Sequence, residues 1–116
     1  MNPQAEGHGD HISKQFNSEL EDVKNQLLEM GGAVEQQLAD ALVAMTSADT
    51  GIAAEVLVQE DVIDSMEIKI DEECNLILAR RQPAASDLRL VLTIIKTVRD
   101  LERIGDESSK IARMAI

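Results

Sequence analysis

Glu102 and Asp106 stand four residues apart in the string Glu102-Arg103-Ile104-Gly105-Asp106, within a segment whose apolar residues repeat at helical spacing. Residues at that spacing share a helix face. Like charges placed so repel by about 0.2–0.5 kcal/mol, and taking them out of water costs far more unless something compensates. A bound cation is one such compensation. A second segment carries Glu60, Asp64, Glu67 and Asp71 at related spacing. Six carboxylates on two neighbouring helices would offer a seam of hard oxygen ligands, which suits Mg²⁺, Mn²⁺, Ca²⁺ or iron.

Helical geometry tests whether these acids point inward. At about 100° per residue, and with Val91 as origin, Ile94, Ile95, Val98, Leu101 and Gly105 fall within about 80°. Glu102 lands about 20° from that origin and Asp106 about 60°, at the margin. With Ile63 as origin on the second segment, Glu60, Asp64, Glu67 and Asp71 lie between about 40° and 100° to one side, a line along the edge of the buried stripe. Two alternatives need no ion. The acids are solvated, or they pair along their own helix: Arg99 with Glu102, Arg103 with Asp106, Lys110 with Asp106.

Three helices must carry these residues. The first starts near Ser13, with apolar positions Phe16, Leu20, Val23, Leu27, Met30, Val34, Leu38, Ala41 and Met45. Gly31-Gly32 interrupts the stripe without shifting its phase, so one helix runs through the pair, bent or closely approached there. Thr46 to Thr50 connects to the second helix, with Ser47 and Asp49 as N-cap candidates. That helix shows Ile52, Val56, Ile63, Met66, Ile70, Cys74 and Ile77, and ends near Arg81 because Pro83 disfavours helix at Gln82. The third begins between Ala84 and Asp87 and carries Leu88, Val91, Ile94, Ile95, Val98, Leu101, Ile104, Ile111, Ala112 and Ala115. It reaches Met114-Ala115-Ile116 without a stop signal, the pattern of a longer protein or of a helix finished by a partner. Short connections force antiparallel neighbours. The expected class is all-α: an antiparallel three-helix bundle with long helices over residues 12–116, preceded by a mobile tail over 1–11 that holds His8 and His11. Long thin bundles leave apolar edge, which favours a dimer.

Composition excludes several function classes. The net charge is −11, with 22 acidic against 11 basic residues, so nucleic acid and anionic lipid are poor direct partners. The chain has one Phe and no Tyr or Trp, leaving aliphatic residues to form the core. The lone Cys74 falls on an apolar stripe beside acids, the setting of an inert structural thiol in a reducing compartment. No run approaches a membrane span, and the N-terminus lacks a secretion-signal pattern.

Several stretches carry a resemblance: Arg81-Gln82-Pro83-Ala84-Ala85-Ser86-Asp87-Leu88-Arg89, then Asp100-Leu101-Glu102-Arg103-Ile104-Gly105-Asp106. His11-Ile12-Ser13-Lys14-Gln15-Phe16-Asn17-Ser18-Glu19-Leu20, Met30-Gly31-Gly32, Met66-Glu67 and Ile70-Asp71-Glu72 add to it. Together they resemble the PhoU family of bacterial phosphate-transport regulators, from His11 onward. The family fold is two homologous three-helix repeats, of which this sequence matches the first. The resemblance implies a non-enzymatic adaptor that represses phosphate-starvation signalling when phosphate is ample. It implies action between the ATPase subunit of a phosphate ABC transporter and a sensor histidine kinase. The adaptor would be cytoplasmic, reaching the inner membrane only through those partners. Family members carry an acidic residue, three others, then Asp as a metal motif. Glu60 with Asp64, Glu67 with Asp71, and Glu102 with Asp106 fit it, implying a divalent or ferric ion (Mg, Mn or Fe). Arg81, Arg89 and Arg99 are candidate partner contacts.

Two other classes compete. A di-metal oxygen-activating enzyme needs Glu-x-x-His pairs on inward helices, and neither histidine lies on the helices that hold the acids. A metal-free dimerising scaffold would leave the acids solvated. No serine has a histidine partner in the helices, and Ser108 and Ser109 read as helix-packing positions.

Overall fold

In the computed structural model three helices follow one another: α1 (Pro3–Ser47), α2 (Thr50–Arg81) and α3 (Ala85–Arg113). The structure describes the backbone of residues 3–116 and the side chains of residues 12–116. α1 begins ahead of the Ser13 start expected from the sequence. The expected tail, 1–11, with His8 and His11, lies outside the residues whose side chains are described. Each helix packs on both others, up-down-up, in a rod of 70 × 20 × 16 Å.

The breaks have local causes. α1 stops where Ala48 takes a left-handed φ of 52°, and Asp49 Oδ1 then accepts from the Ile52 backbone N–H at 3.0 Å to cap α2. Ser47, the other cap candidate, is the last residue of α1. α2 ends on Arg80 and Arg81, cations that suit the negative end of a helix, with Gln82 left-handed behind them. Ala84 precedes α3 in an extended conformation without a side-chain cap, so neither Ser86 nor Asp87 has that role.

The buried positions follow alternating steps of three and four. On α1 they are Leu20, Val23, Met30, Val34, Gln37, Ala41 and Ala44, with Leu27 half-buried in the same frame. The sequence stripe had turned to Leu38 and Met45. Instead Leu38 is half-buried and Met45 exposed, because the frame runs through a polar residue. On α2 the frame is Ala53, Val56, Glu60, Ile63, Glu67, Ile70, Cys74 and Ile77. Two glutamates therefore occupy positions that normally take aliphatic side chains.

Gln37 is 1 % exposed and separates an aliphatic core around Met30, Ile63, Ile70 and Val98 from a smaller one of Ala41, Ala44, Ala53, Val56 and Ala112. Its Nε2 donates to the Val56 carbonyl at 3.3 Å and to Ser109 Oγ at 3.4 Å, tying α1 to both other helices. Ser108 and Ser109 are buried packing residues, and Ser108 Oγ donates back to the Ile104 carbonyl at 2.8 Å.

Gly31-Gly32 lies within unbroken helix, and a Cβ built at either residue meets nothing within 4 Å. No neighbour approaches closely there among the described residues, contrary to one sequence expectation. Gly31→Ala and Gly32→Ala should each stabilise the chain by about 0.8–1 kcal/mol, the helix-propensity difference between Gly and Ala. Urea midpoints that fall in either variant would show that the pair serves packing after all.

Candidate metal centre

Antiparallel packing of α2 on α3 brings Asp64 and Glu67 against Glu102. One carboxylate oxygen from each lies within 4.8 Å of the other two, and all three residues are half-buried. Glu67 reaches this place because it stands in the core frame of α2, and Asp64 is one turn before it on the flank. Glu102 is next to Leu101 on α3, in the stripe as its helical angle predicted. Asp106, assigned to the margin of that stripe, is exposed.

The other sequence candidates lie around this group rather than in it. Glu60 is held by Arg113, Oε2 to Nη2 at 3.5 Å. The Asp106 charge still acts on Asp64, and that of half-buried Asp71 acts on Glu67. The intrahelical pairs that would have neutralised the acids are not formed. Arg103 turns to Asp100 at 3.7 Å and Lys110 to Glu107 at 3.0 Å. Among the described residues no cation pairs with Asp64, Glu67 or Glu102.

Without a counter-charge, Glu67 and Asp64 resist ionisation. Burial, a hydrogen bond to Glu102 and the charges of Glu102, Asp71 and Asp64 push the Glu67 carboxyl up to about 7. Burial, then Glu60, Glu102 and Asp106, raise Asp64 as well. A proton between Glu67 and Glu102 is one way to relieve the repulsion; a cation of higher charge is another. A closely spaced, half-buried, all-carboxylate donor set fits a hard cation and gives no soft ligand to a thiophilic one.

The raised carboxyl makes stability depend on pH. The folded chain holds its Glu67 proton to higher pH than the unfolded chain, whose glutamates titrate near 4.5. The resulting stabilisation is complete below about pH 4.5 and is lost as pH rises through about 7. The thermal midpoint of the metal-free chain should therefore fall between pH 5 and pH 8, and do so less steeply in Glu67→Gln. A rising midpoint in the parent over that range would contradict the shared-proton arrangement.

Other sequence candidates have definite places. Arg81 is partly buried and bound to Glu19 on α1, Nη2 to Oε1 at 2.6 Å and Nε to Oε2 at 3.3 Å. Sequence spacing missed this link, since it joins the two ends of a helical hairpin. Arg89 and Arg99 are exposed on α3. Cys74 is fully buried, and burial with Asp71 and Glu73 nearby pushes its thiol up to about 11, in line with an inert thiol.

Three long helices packed on one another, with a carboxylate seam between two of them, place the chain among the all-α helical-bundle proteins. The PhoU domain family model matches residues 27–115, and the chain belongs to the PhoU family. It is 63 % identical over 106 residues to a Pseudomonas aeruginosa protein described as a phosphate-specific transport system accessory protein PhoU homolog, covering 91 % of this chain and 44 % of that one. The Escherichia coli (strain K12) phosphate-specific transport system accessory protein PhoU is 53 % identical over the same length, again with 44 % of it covered. The crystal structure of PhoU from Pseudomonas aeruginosa superposes with a TM-score of 0.85 at 62 % identity, over 87 % of this chain and 48 % of that one. The chain thus spans less than half the length of the relatives it matches. Among the described residues no helix is long and apolar enough to cross a membrane.

Proposed function

We propose that this chain is a metal-binding adaptor of phosphate uptake. It docks on the ATPase subunit of a phosphate ABC transporter and on a sensor histidine kinase, and represses starvation signalling when phosphate is ample. The observation that carries this reading is the convergence of Asp64, Glu67 and Glu102 without a paired cation, in a chain whose relatives are named as accessory proteins of phosphate-specific transport. These three residues would hold a divalent or ferric ion, with Asp71, Asp106 and Glu60 adding negative field around it. The ion would supply positive charge that locks α2 to α3; no chemistry on a substrate is asked of it. Residues 12–116 form the working bundle. Half-exposed apolar side chains such as Val58, Val62 and Ile68 on α2 are available to a second copy in a homodimer. The site of action is the cytoplasmic face of the inner membrane, through protein partners.

The test is repression in a bacterial strain whose own accessory gene is deleted, read by a phosphate-starvation reporter in ample phosphate. Expression of this chain should lower the reporter, and Glu67→Gln/Glu102→Ala at equal abundance should not. Full repression by the double variant would favour the metal-free scaffold, and no repression by the parent would overturn the adaptor reading.

A further inference from the structure

Charge is segregated among the helices. α3 carries six of the eleven basic residues, whereas α2 sets three basic residues against eight acidic ones. Arg89, Lys96, Arg99 and Arg103 are all exposed, and at about 100° per residue they fall within about 80° of one another on the outer face of α3. Leu92 lies within the same arc and is 50 % exposed. Arg89 precedes it by three residues, Lys96 follows by four and Arg99 by seven, so cations surround it on the helix surface.

Among the described residues Lys14, Lys69, Arg80, Arg89, Lys96 and Arg99 make no ion pair, and the last three of these share one face. Lys24, Arg81, Arg103, Lys110 and Arg113 each reach an acid. Arg89, Lys96 and Arg99 make no ion pair among the described residues, in a chain where acids outnumber bases two to one. Asp87 projects from the opposite side of the helix, and Asp100, one turn after Lys96, is taken up by Arg103 at 3.7 Å.

We propose that the outer face of α3 around Leu92 is a docking surface for an acidic helical segment of a protein partner. The partner would seat an apolar side chain on Leu92 and set carboxylates against Arg89, Lys96 and Arg99. The fit is one of charge and shape. Three separate cations on a straight helix do not converge as a single phosphate requires. One half-exposed leucine gives too little apolar surface to anchor in a bilayer. Spacings of three, four and seven residues are those at which a second helix meets this one repeatedly. The surface deepens the adaptor reading, on which it rests for the existence of a partner. Arg89 and Lys96 lie about 140° and 120° around α3 from Glu102, with only Arg99 within about 60° of it, so a variant of the first two leaves the seam untouched and the two readings can fail separately. Arg81, held by Glu19, is not part of it.

The test uses the whole chain and a fluorescent synthetic helix bearing glutamates around a leucine stripe, with its glutamine counterpart as control. Anisotropy should show binding of the acidic helix only, weakened at least tenfold between 50 and 300 mM salt, since exposed pairs are screened. Arg89→Glu/Lys96→Glu/Arg99→Glu should abolish binding and Leu92→Ser should weaken it severalfold, while Lys69→Glu/Arg80→Glu, which reverses exposed cations elsewhere, should leave it intact. Circular dichroism and the Mn²⁺-induced rise in thermal midpoint should be unchanged in Arg89→Glu/Lys96→Glu, whose cations stand away from Glu102 and whose reversal should already weaken binding severalfold. Equal loss in the Lys69→Glu/Arg80→Glu control, equal binding of the glutamine helix, or preference for phosphatidylglycerol vesicles would overturn the proposal. An intact surface with no Mn²⁺ effect would instead count against the metal centre alone.

Discussion

Glu67→Gln raises the thermal midpoint of the metal-free chain at pH 8 and removes most of the gain that Mn²⁺ gives the parent. Both effects follow from one geometry. Glu67 stands at a core-frame position, hydrogen-bonded to Glu102 and in the field of Asp64 and Asp71. At pH 8 it is ionised against that field, and the neutral amide lifts the repulsion while keeping the side-chain volume. The same amide is a poorer ligand than a carboxylate and takes one charge from a three-carboxylate site. A site filled at about 100 times its dissociation constant adds about 2.7 kcal/mol to the folded state. At about 4 °C per kcal/mol for a chain of this size, the parent should gain about 10 °C. Glu102→Ala should lose the gain as well. Scanning calorimetry with and without Mn²⁺ decides it: an equal gain in parent and variants would place the ion elsewhere, and a lower metal-free midpoint in Glu67→Gln would mean that the carboxylate is stabilising.

Gly105→Leu is expected to destabilise the fold by about 3 kcal/mol, the upper range for forcing bulk into a packed interface. An added Cβ at Gly105 already meets Gln37 Oε1 at 3.2 Å and Ile63 Cγ2 at 3.9 Å. Gln37 cannot swing clear without giving up its bonds to Val56 and Ser109. A longer side chain must therefore push α3 off α1 and α2. Glu102 and Asp106 flank this glycine on α3, and Ile63 precedes Asp64 on α2, so the displacement also separates Glu102 from Asp64 and Glu67. Gly105→Leu should thus lose the Mn²⁺ response together with stability. Gln37→Ala in the same chain should restore part of the stability by making room. Denaturation midpoints within about 0.5 kcal/mol of the parent would show that the helices have slack at this crossing.

Much of this was legible in the sequence. Pro83 and Asp49 marked the breaks, and apolar steps of three and four marked three helices. The acids along α2 and the inward angle of Glu102 could also be read. Four things could not. Gln37 looks like a gap in an apolar stripe, so the stripe was followed to Leu38 and Met45; only contact with α2 and α3 shows that the frame runs through it. Which acids converge depends on the axial offset between α2 and α3. The close crossing at Gly105 helps to set it, and spacing along one helix does not encode it. Spacing also left Arg103 and Lys110 a choice of acids, and they took Asp100 and Glu107. The tie from Glu19 to Arg81 spans 62 residues, beyond any local pattern.

The burial of Cys74 has a practical consequence. A chain with no Trp and no Tyr offers almost no intrinsic fluorescence with which to follow folding. Its single thiol lies in the middle of the core, protonated up to about pH 11 and closed to solvent. A thiol reagent can reach it only when the bundle opens, so labelling time courses count opening events one molecule at a time. Run with and without a divalent ion, they would separate a ligand that slows opening from one that only speeds closing.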